Sequence, residues 1–295
     1  MKKNYQTNTI LIFLITILTL YIINSSIITN GIISYTKLFI SKLFPSTFLI
    51  YTFSSLLINY QLIEKLTIIS KNNASSLYII IMSLISGFPS GSKYVKELYQ
   101  SNYISKKTAN TLLTFTHFPN PLFILGPVNS LIKNNSLTYK LLLSIYISNF
   151  IIGLLFYKKN ETINKPTNKQ YSFSKILNIS IIDSIKTIIL IYGTSLFFYL
   201  ISLLITNYIK LSPIPFIIIN GFFDLTKGIF STSIISSSIL KTYIILIFLI
   251  FGSISIHIQI KSILSDTSLN YKYFLLGRII STILSLIILT ILITF

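Results

Sequence analysis

GFPSGSK, residues 87–93, interrupts an apolar run from Leu77 to Ile85 that is roughly half as long as a bilayer crossing requires. A helix that ends inside hydrocarbon leaves backbone groups without partners, and such an end persists only where protein or a watery cavity covers it. The spacing therefore predicts a half-helix over Ser75 to Ser86, a break at Gly87-Phe88-Pro89, and a cavity beside it. Pro89 closes the first helix, while Gly87 and Gly91 free the backbone so that the N–H groups of Ser90, Ser92 and Lys93 open the next. Unpaired N–H groups at a helix start suit an anionic or polar group. A tight interfacial turn is the plainer reading of the same residues, and the two weigh equally. Lys93 and Glu97, four apart, are placed to pair on a helix face.

Outward from this stretch, composition sets the solvent. Of 295 residues, 52% are hydrophobic and 10% charged, with a mean hydropathy of +0.76. A soluble domain carries about a quarter charged residues, so lipid is the main solvent and the bilayer the first partner. Charge-free runs such as Leu43–Ile63, Thr187–Ile209 and Thr242–Ile260 approach the ~20 residues of a membrane helix. The isoleucine-rich text does not alternate apolar with polar as a membrane barrel must. The expected fold is an all-α polytopic membrane protein with about seven full transmembrane helices and two half-helix or re-entrant breaks. A net charge of +18 would suggest nucleic acid in a soluble protein, but these lysines sit in short connections, where they act as topology signals. No folded basic domain presents a patch, so nucleic acid is not an expected partner. The absence of cysteine removes disulfides and thiol chemistry.

Lys2 and Lys3 precede Ile10–Ile23 without a small-residue cleavage pattern, which predicts an uncleaved first helix with a cytoplasmic N-terminus in the cell membrane. That helix, Thr9 to Thr29, fills segment 1–31. A first repeat, 32–157, holds amphipathic Ile32–Leu43, a crossing from Pro45 to Ile63 ending at Glu64, Lys65 and Lys71, and the half-helix with its break at 87–91. An irregular crossing from Thr108 to Ile132, interrupted by Pro119, Pro121 and Pro127, and a return over Leu137–Tyr157 complete it. A cytoplasmic lysine-rich linker, 158–174, leads to a second repeat, 175–295. There an amphipathic lead-in to Lys186, a crossing over Thr187–Thr206, a short run to Ile219 and a break at 220–228 precede crossings over Lys241–Ile260 and Tyr273–Phe295. The halves share one order, and three crossings in each make the second copy inverted, the recurrent plan of secondary transporters.

Asp224 and Lys227 lie in the second break, where ionisable groups are costly unless a partner or substrate faces them. Their alternative is a mutual salt bridge that plugs the break. Asp224 is one of six acids in the chain and ranks first among the candidates. His117 and His257 sit within crossings, as interior hydrogen-bonding residues or as proton carriers. Ser253, His257 and Lys261 share one helix face, from which Gln259 points away. Asn120, between two prolines, offers an amide to the cavity. No phosphate loop, metalloprotease motif or nucleophile elbow occurs, so the chain is read as no enzyme, with no cofactor or metal site.

Several of these residues carry a family likeness. Gly87-Phe88-Pro89-x-Gly91-x-Lys93, Ile104-Ser105-Lys106, Leu112-Leu113-x-Phe115 and Pro121-Leu122-Phe123-Ile124-x-Gly126 come first, followed by Gly221-x-x-Asp224-x-Thr226-x-Gly228 and Phe251-Gly252-x-x-Ser255-x-His257-x-Gln259. Together they resemble the YlbJ family of sporulation integral membrane proteins, within the wider group of nucleoside-recognition, or Gate, domains. The chain departs from that pattern at His117, Asn120, Asp224 and Ser253, keeping a carboxylate at 224. The resemblance implies a role at the cortex stage of endospore formation. One reading is a permease for a small polar or anionic solute, with Thr226 and Gly228 in its site beside Asp224. The other is a non-transporting scaffold for cortex-building partners, working through the lysine-rich linker.

Overall fold

The computed structural model describes residues 2–60, 74–156 and 172–295. Glu64, Lys65 and Lys71, expected at a cytoplasmic helix end, and most of the 158–174 linker lie outside the described residues. All the regular elements among them are helical: α1 (Lys2–Ile23), α2 (Ser25–Leu38), a π-helical turn over Phe39–Leu43, α3 (Phe44–Asn59), α4 (Ala74–Ser86), α5 (Ser90–Gln100), α6 (Lys106–Phe115) and α7 (Pro121–Ile132). After them come α8 (Asn135–Phe156), α9 (Phe173–Tyr208), α10 (Pro213–Phe223), α11 (Leu225–Ser231), α12 (Ser238–Phe251), α13 (Ile254–Leu264) and α14 (Tyr271–Thr294).

Four helical stretches are long and apolar enough to cross a membrane: Asn135–Phe156, Phe173–Tyr208, Ser238–Leu264 and Tyr271–Thr294. A fifth is added if Thr7–Ile23 and Ser25–Leu43, bent by 94°, are one span. The chain is thus a multi-pass helical membrane protein. Its outward faces are apolar, with Phe150 65% and Leu154 69% exposed, while small polar residues pack inside. Between α8 and α14, for example, the buried Ser148 and Ser281 hydroxyls lie 3.3 Å apart and Ser281 Oγ donates to Asn149 Oδ1 at 3.0 Å. Small and hydroxylated residues let helix backbones approach where no hydrophobic force drives association in lipid.

Several boundaries differ from expectation for local reasons. The first helix ends at Ile23 instead of Thr29, at Asn24, whose backbone leaves the helical region (φ −103, ψ 32) and whose amide donates both to the Leu20 carbonyl and to Tyr208 Oη, each at 2.8 Å. The 31/32 division consequently falls inside α2. The expected crossing over Thr108–Ile132 is two helices parted at residues 116–120, where prolines 119 and 121 preclude the ladder. The amphipathic segment before Lys186 and the crossing after it form one 36-residue helix, α9.

Two pairs of short helices fold back on themselves. In α4–α5 the Tyr78 and Tyr94 rings meet edge-on at 6.1 Å. In α10–α11 the approach is closer still, since a Cβ placed on Gly228 would strike the Gly221 backbone. Contacts also sort the helix ends. At one end Lys96 pairs with Asp266 at 2.7 Å, Tyr99 Oη and Ser268 Oγ are 2.7 Å apart, and Asn270 N–H donates to Asn110 Oδ1 at 2.9 Å. At the other, Ser238 Oγ donates to the Ile132 carbonyl at 2.9 Å and Lys241 Nζ to that of Leu131 at 2.8 Å.

Candidate functional site

Four helix breaks come together in the interior. The first, between α4 and α5, is turned by Gly87 at φ +75, and a Cβ there would lie 2.6 Å from the Asn120 nitrogen, so it packs directly on the second break. Ser90 and Gly91 are buried at the start of α5, where Gly91 backs onto the Thr116 carbonyl. In the second break, Asn120 caps α7 by accepting from the Leu122 N–H at 2.8 Å, which leaves its Nδ2, in a side chain 9% exposed, without a partner among the described residues. His117 is buried, with Nε2 3.2 Å from Ser92 Oγ.

Asp224 makes the third break. Its extended backbone stops α10, and Oδ1 accepts from the Lys227 N–H at 2.8 Å to start α11. The carboxylate is fully buried, and Oδ2 accepts from Ser255 Oγ at 3.5 Å. Ser255 belongs to α13, beyond the fourth break, where Gly252 turns the chain at φ +87 and the Ser253 and Ser255 hydroxyls are 2.7 Å apart. The alternative of an Asp224–Lys227 salt bridge does not hold: Asp224 caps a helix, and the Lys227 ammonium turns to the Tyr199 ring, 5.5 Å from its centroid.

A cavity of ≈ 60 Å³ lies where the breaks meet. Phe88 and Pro89 line it from the first break, Asn120 from the second, Leu225 and Thr226 from the third, and Ile256 from beyond the fourth. Half-helices α5, α7, α11 and α13 all begin at these breaks, and each brings residues from its start to the cavity wall. Asp224 caps one of them, and Asn120 offers a free amide donor to the space. The arrangement suits a ligand that is itself polar.

Three expected residues fall elsewhere. Lys93 leaves the cavity for a neighbouring polar pocket, where it meets Glu97 at 3.9 Å and Thr187 Oγ1 at 3.2 Å. His257 bonds to Tyr271 Oη and, through Nε2, to the Phe251 carbonyl at 3.0 Å. That carbonyl only accepts, so Nε2 carries the proton and Nδ1 is free to accept from the tyrosine. Lys261 joins this group with Nζ 4.8 Å from the Tyr271 ring centroid, so the predicted Ser253/His257/Lys261 face looks mainly toward Tyr271. Gln259, which that geometry set aside, is 1% exposed and its Nε2 donates to Ser195 Oγ at 3.5 Å. Gly228 serves helix packing.

Sequence reasoning also missed Ser195 and Arg278, and named Ser255 only within the family likeness. Arg278 is 2% exposed; its Nη1 donates to the carbonyls of His117 at 2.9 Å and Ile250 at 3.3 Å, and its Nη2 to Asn149 Oδ1 at 3.1 Å. It therefore ties the second break to the C-terminal end of α12. A signal was present, for Arg278 is the chain's only arginine and stands at the head of an apolar run. Among the described residues no three His, Cys, Asp or Glu gather as a metal would need.

No family model matches the chain, and no solved structure matches it. The sporulation integral membrane protein YlbJ of Bacillus subtilis (strain 168) is 26% identical over 246 residues, covering 69% of this chain and 60% of that protein. The chain thus spans less than two thirds of that relative's length.

Proposed function

We propose, from the similarity that supports placing this chain in the YlbJ family, that it works in endospore formation as a permease for a small polar or anionic solute. The observation that carries the reading is the convergence of four helix breaks on one cavity beside the buried Asp224. Broken helices at membrane depth are the means by which transporters present backbone groups to a solute.

The paired helix ends support an inverted repeat. The α4–α5 hairpin opens toward the end that holds Lys96, Lys106 and Lys107, while α10–α11 opens toward the end that holds Lys241. In each half a long helical stretch, a hairpin, a broken crossing and an unbroken helix follow in that order, traversed in opposite senses. On this reading α1, the α2–α3 stretch and the broken crossings bring the proposed total to seven. The end bearing Lys96 and the loop at residues 265–270 is cytoplasmic on the positive-inside rule.

Complementation tests the assignment. In a spore-forming host lacking its own relative, Asp224→Asn and Asn120→Ala are expected to abolish heat-resistant spores, while replacing the linker lysines 158, 159, 165 and 169 by glutamine leaves them intact. Loss through the linker alone would favour the scaffold.

A further inference from the structure

Two spaces meet at one thin wall. Toward the lysine-bearing end lies a pocket of ≈ 320 Å³ bordered by Lys93, Lys96, Glu97 and Lys186 and reaching Gln259. Inside is the ≈ 60 Å³ cavity with Asn120, Thr226 and Ser195. Pro89 and Ile191 line both, so the partition is a single layer of side chains. Across it runs the Gln259 Nε2 to Ser195 Oγ hydrogen bond, 3.5 Å long and at the outer edge of productive geometry. Gln259 Oε1 is buried and without a partner among the described residues. A buried acceptor left unmade is costly, and it is relieved as soon as water or a polar solute reaches it.

We propose, resting on the solute-site reading of the inner cavity, that Gln259 and Ser195, with Pro89 and Ile191, form a gate between the outer pocket and the cavity. Gln259 exchanges Ser195 for the polar groups of whatever passes. Turning this one side chain breaks the hydrogen bond that crosses the wall, and the outer pocket beyond it is already formed.

The chain has no cysteine, so an introduced thiol is the only one present. Thr226→Cys reports on the inner cavity and Lys96→Cys on the outer pocket. The protein, in lipid nanodiscs, is labelled with the permanently charged reagent methanethiosulfonate ethyltrimethylammonium. Lys96→Cys should react quickly in every background. Thr226→Cys should react slowly alone and at least about tenfold faster when Gln259→Ala is added, a difference of roughly 1.4 kcal/mol in access. Ser195→Ala removes the same bond from the other side and should act alike, which covers the case in which Gln259→Ala does not fold. Thr226→Cys labelling within twofold of its starting rate in a folded variant of either kind would overturn the gate. Faster labelling in a protein that moves no solute would retire the permease reading and leave the gate standing.

Discussion

Gly228→Ala puts the α10–α11 hairpin to a quantitative test. The added Cβ would strike Gly221 Cα and lie 2.7 Å from Gly221 N and 3.3 Å from the Phe248 ring. The first two atoms are backbone, so no rotamer change relieves the clash and the two helices must separate. Overpacking by one carbon costs about 1–3 kcal/mol, and an obstacle made of backbone places this site at the upper end, ~3 kcal/mol. At ~1.4 kcal/mol per tenfold, the folded-to-unfolded ratio falls by about two orders of magnitude. Gly193→Ala is the internal control: it lies within α9 and a Cβ there meets nothing within 4 Å, so losing a flexible glycine should stabilise by about 0.5–1 kcal/mol. Gly221→Ala should fall between the two, because its Cβ meets the Phe248 ring, a side chain that can turn. Thermal melting of the purified proteins in one detergent reads all three. A Gly228→Ala protein as stable as Gly193→Ala would refute the backbone contact on which the hairpin is argued.

Arg278→Lys should lower stability nearly as much as Arg278→Met, by about 2–4 kcal/mol in the same melting assay, since one ammonium cannot reach two carbonyls and Asn149 Oδ1 at once; full rescue by lysine would show that charge alone suffices. Asn120→Ala removes the cap on Leu122 N–H and should cost about 1 kcal/mol in melting, with a larger effect on function than on stability. The Asp266 carboxyl in the 265–270 loop is held below its usual range, first by its hydrogen bond from Lys96. A depressed folded pKa adds stability above the unfolded value of about 4 and loses it as pH falls through the lower folded value. The melting difference between wild type and Asp266→Asn should therefore be constant near neutrality and vanish under acid; a difference that does not change with pH would show that the pair is silent.

Much of the fold was legible because lipid imposes a coarse grammar. Length without charge marks α8, α9 and α14, and Gly-Phe-Pro at 87–89 marks a half-helix end that falls at Ser86 as read. What the grammar cannot carry is side-chain competition. The α1 end falls at Asn24, whose amide meets Tyr208, 184 residues away, and no local pattern announces that contact. At the site, Asp224 stood out because charge is rare here, but the helix before it runs through Phe223, past the Asn220-Gly221 stop expected from the sequence, so the break narrows to Asp224 itself. Its role as a cap, in place of a salt bridge with Lys227, depended on a backbone N–H that only coordinates reveal. Ser195 was invisible among many serines and Ser255 entered only through the family likeness, whereas Arg278 went unremarked although it is the chain's only arginine; it is a buried strut.

Solute uptake into proteoliposomes tests the central claim, that one cavity built from both halves of the chain is the path of a solute. Purified protein would be screened against labelled small polar and anionic compounds, with and without a proton or sodium gradient, beside Asn120→Ala from the first half and Asp224→Asn from the second. The account predicts uptake above protein-free liposomes that each substitution lowers at least about tenfold, or ~1.4 kcal/mol. Uptake that both substitutions leave unchanged would contradict it.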